Sequence, residues 1–212
     1  LVVFSNNRLG WYFPASAAVN AAHYLSRLTP GVVSALYPMG SLFGDQTASA
    51  PALPLPTELA DLQVLVDDQP APLLYVSPGQ INYIMPMGAP TSGTAEVQVV
   101  RKSLSQILAV GCTAVRVAVN PDRYQCSNTL QMDVASPALF AGPGYSTGTG
   151  LIAANNVKAS DGSYYGVNSP SNPVSRGDIV QLFATGQGYI PNPPPDGAAP
   201  GSNPMYWTPG AK

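Results

Sequence analysis

The sequence predicts an all-β sandwich, and three observations carry that prediction. Apolar residues alternate with polar ones, the period of a half-buried strand, through Leu62, Val64 and Val66, through Ala95, Val97 and Val99, and through Val115, Val117 and Val119. Turn signals punctuate these runs about every ten residues. Proline (23) and glycine (20) are abundant among the 212 residues, yet the chain also carries 11 tyrosines and many β-branched residues. Disordered chains lack those residues, so the prolines and glycines read as turn chemistry. A parallel α/β sheet would need helices between its strands, and none separates these runs.

Taken in order, LVVFSNNRLGWYF at the start is two apolar runs around Ser5-Asn6-Asn7-Arg8, hence a strand, a turn and a strand. The stretch 15–28 is alanine-rich and free of Gly and Pro, with Val19, Ala22, His23 and Ser26 at helical spacing. It predicts a short N-terminal helix ended by Pro30-Gly31. GVVSALYPMGSLFG (31–44) is strand material kinked at Pro38 and Gly40, and the loop 45–57 suits a crossing between sheets. From Leu62 a strand, an Asp67-Asp68 turn and a second strand follow. Ser77-Pro78-Gly79-Gln80 then forms the next tight turn, with Pro fixing φ and Gly79 supplying a positive φ. INYIMP, TAEVQVVRK and LSQILAVGCTAVRVAV continue the strands.

A second segment opens at about Ser136. SLFG (41–44) and QLFATGQG (181–188) each follow a β-branched run, with VNAA (19–22) and VNSP (167–170) upstream, so the chain reads as a repeat. The second copy has no counterpart of LQVLVDDQPAPLLYVSPGQINYIMP. This predicts an N-terminal extension at 1–14, a first sandwich module at 15–134, and a second, strand-deficient module at 135–212 with a Pro/Gly-rich tail.

Only 9% of residues are charged, against about a quarter in an ordinary soluble domain. The formal charge is −2 and only Arg101-Lys102 are adjacent cations, which argues against nucleic acid. The apolar runs are too short for a membrane span. The chain begins at Leu1 without Met, the expectation for a mature or trimmed product. Cys112 and Cys126, with Asn120-Pro121-Asp122 between them, suit a disulfide across a hairpin; two buried thiols are the other reading. With His23 they offer too few ligands for a metal site.

Two stretches, PLPTELADLQVLVDDQPAPLLYVSPGQINYIMP and GVNSPSNPVSRGDIVQLFATGQG, resemble an uncharacterised C-terminal domain family first noted in Solibacter and related acidobacteria. The resemblance covers about residues 54–200. It implies a secreted bacterial module of immunoglobulin-like sandwich type with no assigned catalytic residues or cofactor. The Cys112/Cys126 pair and the N-terminal LVVFSNNRLGWYF depart from the family pattern, and the chain stops where members continue.

The functional candidates weigh as follows. His23, the single histidine, would have to be the base of any Ser-His-Asp triad, but no G-x-S-x-G elbow accompanies it. A glycosidase needs two carboxylates flanking a cleft, and most of the 11 here sit in turn contexts. ASDGS (159–163) lacks the ligand spacing of a calcium loop. Tyr164, Tyr165, Tyr206 and Trp207 form a candidate aromatic binding face for sugars. The expected function is structural and non-enzymatic: a secreted or cell-surface subunit of a filament or adhesive assembly, a homopolymer joined head-to-tail. The donated strand is Leu1, Val2, Val3, Phe4, Leu9, Trp11 and Phe13. The alternative is a carbohydrate-binding or spacer module whose partner is a surface polysaccharide.

Overall fold

The computed structural model describes residues 2–3, 9–10, 15–39, 43–101, 106–111, 113–116, 124–127, 129–142, 152–199 and 201. Among them every regular element is a strand, and no helix is long and apolar enough to cross a membrane.

At the N-terminus β1 (Val2–Val3) and β2 (Leu9–Gly10) pair with each other, outside the other sheets. The strands that follow are β3 (Ala15–Asn20), β4 (Val33–Met39), β5 (Ala48–Ser49), β6 (Leu62–Val66), β7 (Gln69–Pro70), β8 (Leu73–Ser77), β9 (Gln80–Ile84), β10 (Gly93–Arg101) and β11 (Gln106–Gly111). They are joined in the order β5-β8-β9-β4-β3-β11-β10-β6-β7. Every contact along this path is antiparallel except β3–β11, which is parallel and joins only Ala15 and Ser16 to Val110 and Gly111. After β11 come β12 (Thr113–Arg116), β13 (Tyr124–Ser127) and β14 (Thr129–Met132). On β10 the consecutive residues Val97 and Glu96 face Gly111 and Thr129. Thus β11 and β14 act as one interrupted partner of β10, and the β12–β13 hairpin leaves at the interruption.

The path closes over a single core. Val64, Val66, Val97 and Val99 of β6 and β10 share one apolar cluster with Leu36, Leu73, Val76, Ile81 and Tyr83 of β4, β8 and β9. Each is essentially inaccessible, and a large side chain removed from water in this way contributes about 1.5–3 kcal/mol. The alternation read in the sequence appears as burial that alternates along β6 and through Ala95, Val97 and Val99 of β10. Asp67 and Asp68 have φ of 45° and 64°, the geometry of a type I′ hairpin turn, and Asp67 Oδ1 accepts the Glu96 N–H at 2.7 Å.

Two expectations are corrected. Residues 15–28 are not a helix: Ala15–Asn20 is β3, paired with β4 from Ala15↔Met39 to Asn20↔Ser34. Burial alternates at Ala18, Asn20 and Ala22, so the small side chains fit a strand packed closely against the core. Tertiary pairing has overridden alanine's helix propensity. Asn20 ends the strand, its Oδ1 accepting the Ala22 N–H at 2.9 Å and its carbonyl the Tyr24 N–H at 2.9 Å. The other correction concerns Ser77–Gln80, where Gly79 is not among the residues of positive φ. A turn with Pro at its first central position can keep both central φ values negative. The Ser77 hydroxyl donates to the Gln80 carbonyl at 3.1 Å, and the Pro78 carbonyl accepts the Phe43 N–H at 3.0 Å.

Beyond Met132 the chain adds β15 (Ala138–Leu139), β16 (Ala154–Val157), β17 (Tyr164–Val167), β18 (Ile179–Leu182) and β19 (Ala184–Thr185). β15 pairs with β19, and β17-β16-β18 form a three-stranded antiparallel sheet. Polar clips fasten this segment to the first. Asn20 Nδ2 donates to the Ser136 carbonyl (2.9 Å), Thr185 Oγ1 accepts the Val33 N–H (2.7 Å), and Asp196 Oδ1 accepts the Met87 N–H (3.0 Å). Gly186 and Gly188, with φ of 80° and 89°, let the backbones touch. A Cβ on Gly186 would lie 1.9 Å from the Ser136 oxygen, and one on Gly188 2.2 Å from the Val134 oxygen. Gly186→Ala is therefore expected to destabilise by at least about 3 kcal/mol, combining a left-handed backbone with a backbone clash. Gly162→Ala, at φ 73° in open space, is the control and should cost about 1 kcal/mol. Urea unfolding midpoints of the two variants check both values.

Candidate functional site

The three-stranded sheet is the unusual surface of the molecule. β18 has β16 on one edge, and among the described residues no strand lies on its other edge. All four of its residues are exposed, with Ile179 50%, Val180 42% and Leu182 51% accessible. Phe183, next in the chain, is 42% exposed, and Tyr164 and Val167 of β17 are also exposed. A strand normally hides at least one face. Here apolar groups stand on both faces beside an open backbone edge, which is an adhesive arrangement.

The first segment shows what the same unit looks like when covered. In both, a four-residue turn with a left-handed glycine leads into the strand. Val32 N–H bonds the Thr29 carbonyl (3.2 Å) across Gly31 at φ 72°, and Asp178 N–H bonds the Ser175 carbonyl (3.1 Å) across Gly177 at φ 93°. β4 then pairs with β3 through Asn20↔Ser34 and Ala18↔Leu36, as β18 pairs with β16 through Asn156↔Val180 and Ala154↔Leu182. Asn20 and Asn156 are both fully buried, and Ala18 and Ala154 are buried beside them. The structural repeat thus equates AAVN (17–20) with AANN (153–156), rather than VNAA with VNSP. The difference lies on the far edge. β4 is covered there by β9, and Ser34, Ala35 and Leu36 are buried to within 1%.

Polar networks brace the three-stranded sheet. Asn156 Nδ2 donates to the Asn172 carbonyl and its Oδ1 accepts from Asn168 Nδ2, both at 2.8 Å. Asn172 Nδ2 reaches the Val167 carbonyl at 3.0 Å, which ties the NSPSN loop to the end of β17. Asp178 takes the Ala159 N–H and the Tyr165 hydroxyl, each at 3.1 Å, and that hydroxyl accepts the Ser175 N–H at 3.1 Å. The apolar strand is presented ready-made.

The other candidates are placed as follows. Tyr165 is committed to Asp178, while Tyr164 is 59% exposed; Tyr206 and Trp207 lie outside the described residues. Of the donor segment, Val2, Val3 and Leu9 have a described backbone in β1 and β2, and Leu1, Phe4, Trp11 and Phe13 lie outside the described residues. Cys112 lies outside them too, and of Cys126 the backbone alone is described, opposite Ala114. No group of three or more potential metal ligands occurs among the described residues. Asp161, in the ASDGS loop, accepts the Ser163 N–H at 2.9 Å, and hydrogen bonds from Ser163 hold its carboxyl below the usual range. An apolar depression of about 180 Å³ follows the seam between Ile84, Met87, Ile190 and Pro193–Pro195, where Asp196 is already bonded to the Met87 N–H.

His23 stands 3.0 Å from the Ser136 hydroxyl through Nε2. Sequence reasoning did not find this pair, because 113 residues separate its members. Its polarity is the reverse of a nucleophile pair. Nδ1 accepts the Leu25 N–H at 3.0 Å, so the neutral ring carries its proton on Nε2 and donates it to Ser136. A serine nucleophile must instead give its proton to that nitrogen.

No family model matches the chain, and no curated protein or solved structure matches it.

Burial lowers the pKa of His23 below its ordinary 6.5; a hydrogen bond to its own backbone works against this, and the nearby Arg27 charge adds to the lowering. The unfolded chain then takes up the proton first as pH falls. The contribution of His23 is fully present above about pH 6.5 and is lost as pH drops from there through the lowered folded value. Urea midpoints should fall between pH 7 and pH 5, and His23→Gln should flatten that slope. Asn156→Ala should cost about 1–3 kcal/mol by orphaning the Asn172 carbonyl and the Asn168 amide, read in the same titrations.

Proposed function

We propose that this protein is a non-enzymatic structural subunit of an extracellular filament or surface assembly, joined head-to-tail by strand donation. The observation that carries the reading is β18, a strand with no partner on one edge among the described residues and exposed on both faces at Ile179, Val180 and Leu182. Backbone pairing supplies affinity at such an edge, and the exposed apolar side chains supply burial. The donor is the segment 1–13, whose described parts pair only with each other. A donor and an acceptor at different places on one chain generate a head-to-tail contact, which propagates.

Supporting features are the low charge, 9% of residues, and the polar networks that brace the three-stranded sheet. In this reading the modules are immunoglobulin-like sandwiches of the acidobacterial secreted type, the second one short of strands. The carbohydrate-binding alternative has less behind it, since the Tyr165 hydroxyl is occupied by Asp178.

Deletion of residues 1–13 should abolish polymers and leave less stable monomers, scored by negative-stain electron microscopy and sedimentation. Polymers that persist unchanged would refute strand donation by this segment.

A further inference from the structure

The covered and uncovered copies of the repeat identify the missing cover. In the first segment the far edge of β4 is taken by β9, in the register Val33↔Ile84, Ser34↔Tyr83, Ala35↔Asn82 and Leu36↔Ile81. β9 arrives as half of a hairpin with β8, in the sequence LLYVSPGQINYIMP (73–86). The N-terminal LVVFSNNRLGWYFP (1–14) aligns with that stretch without a gap. Residues 1–4, 9 and 11–13 are apolar, as are 73–76, 81 and 83–85; Leu1, Ser5 and Pro14 match Leu73, Ser77 and Pro86. The turn tetrad Ser5-Asn6-Asn7-Arg8 stands where Ser77-Pro78-Gly79-Gln80 makes its turn, and asparagine suits such a turn. The backbone agrees at the end away from the turn and departs by one residue nearer it, where Val3↔Leu9 stands against Val76↔Ile81. β1 and β2 form a hairpin whose pair Val2↔Gly10 has the register of Leu73↔Tyr83 in the aligned hairpin, the bulge in β8 accounting for the one-residue change beyond it.

We infer that the segment Leu1–Pro14 of a second copy is a displaced counterpart of the β8–β9 hairpin, and that it covers β18 as β9 covers β4. This rests on the assembly reading above and adds its register. The shared glycine turn sets Val33 equivalent to Ile179, so the pairs are Ile179↔Tyr12, Val180↔Trp11, Gln181↔Gly10 and Leu182↔Leu9, antiparallel. Trp11 then takes the place that Tyr83, fully buried, has in the first core, and Leu9 that of Ile81. A one-residue slip would turn these side chains to the opposite face, so the register is sharply specified.

The test is cysteine cross-linking in the full chain. Tyr12→Cys with Ile179→Cys should give a reducible ladder of multimers on mild oxidation, about tenfold stronger than Tyr12→Cys with Val180→Cys, whose thiols point to opposite faces. Each single substitution controls for the native cysteines. Cross-links confined to one chain would uphold the pairing but overturn joining between copies, and with it the assembly reading. Filaments without the 12–179 cross-link would overturn the register and leave that reading standing. As a second measurement, added free peptide of residues 1–14 should compete for β18 and shorten polymers of the unmodified protein. Unchanged polymer lengths would overturn the inference even if the cysteine variants failed to assemble.

Discussion

The structure depends on β4 having both edges paired. β3 takes one edge over six residues and β9 takes the other over four, and Ser34, Ala35 and Leu36 between them are sealed from water. Every backbone donor and acceptor left unpaired in an apolar interior costs free energy comparable to a lost hydrogen bond. A strand can therefore sit at the centre of a core only when its edges are used. From β4 outward the ladder runs through β9 and β8 on one side and through β3, β11 and β10 to β6 on the other. Its two arms meet over Val64, Val97, Leu36 and Ile81.

β18 is the same kind of strand with no second partner among the described residues, and the contrast sets the two copies apart. The left-handed glycine turn, the buried asparagine and the small buried alanine occur in both copies. In the first, the asparagine pins the Ser136 carbonyl of the following segment; in the second, it pins the Asn172 carbonyl of the loop after β17. A chain with few charges uses amides and hydroxyls for these attachments. Such bonds hold backbone to backbone without the desolvation cost of a buried ion pair. The salt bridge Arg27–Asp133, at 3.6 Å and with its arginine largely exposed, contributes little.

Legibility followed the range of the interaction. The strands through Leu62–Val66 and Gly93–Arg101 and the Asp67-Asp68 turn were readable because period-two burial and turn chemistry are local properties. Ala15–Asn20 was misread as helix because its alanines carry a local helical preference, and only β4 lying alongside makes them a strand. The positive φ expected at Gly79 failed for a related reason, since proline-glycine permits more than one turn type. Gly186 and Gly188 sat in plain view within ATGQG, yet nothing nearby in sequence shows that their missing side chains admit the carbonyls of Ser136 and Val134. The His23–Ser136 contact was invisible for the same reason.

By itself the sequence determined the all-β class, the positions of the tight turns, and a polar rather than ionic surface. Alternation, turn residues and composition act within a few positions of one another, so they can be read along the chain. The tertiary structure decided which strands become neighbours, which asparagines are buried, and that β4 is enclosed while β18, among the described residues, has one edge unpaired. Those outcomes depend on residues distant in sequence being brought together, as Val33 is with Ile84 and Asn20 with Ser136, and on which strands lie at each edge. The sequence shows Ile179–Leu182 only as a short, mostly apolar run; the fold leaves it exposed, with no strand on its second edge among the described residues.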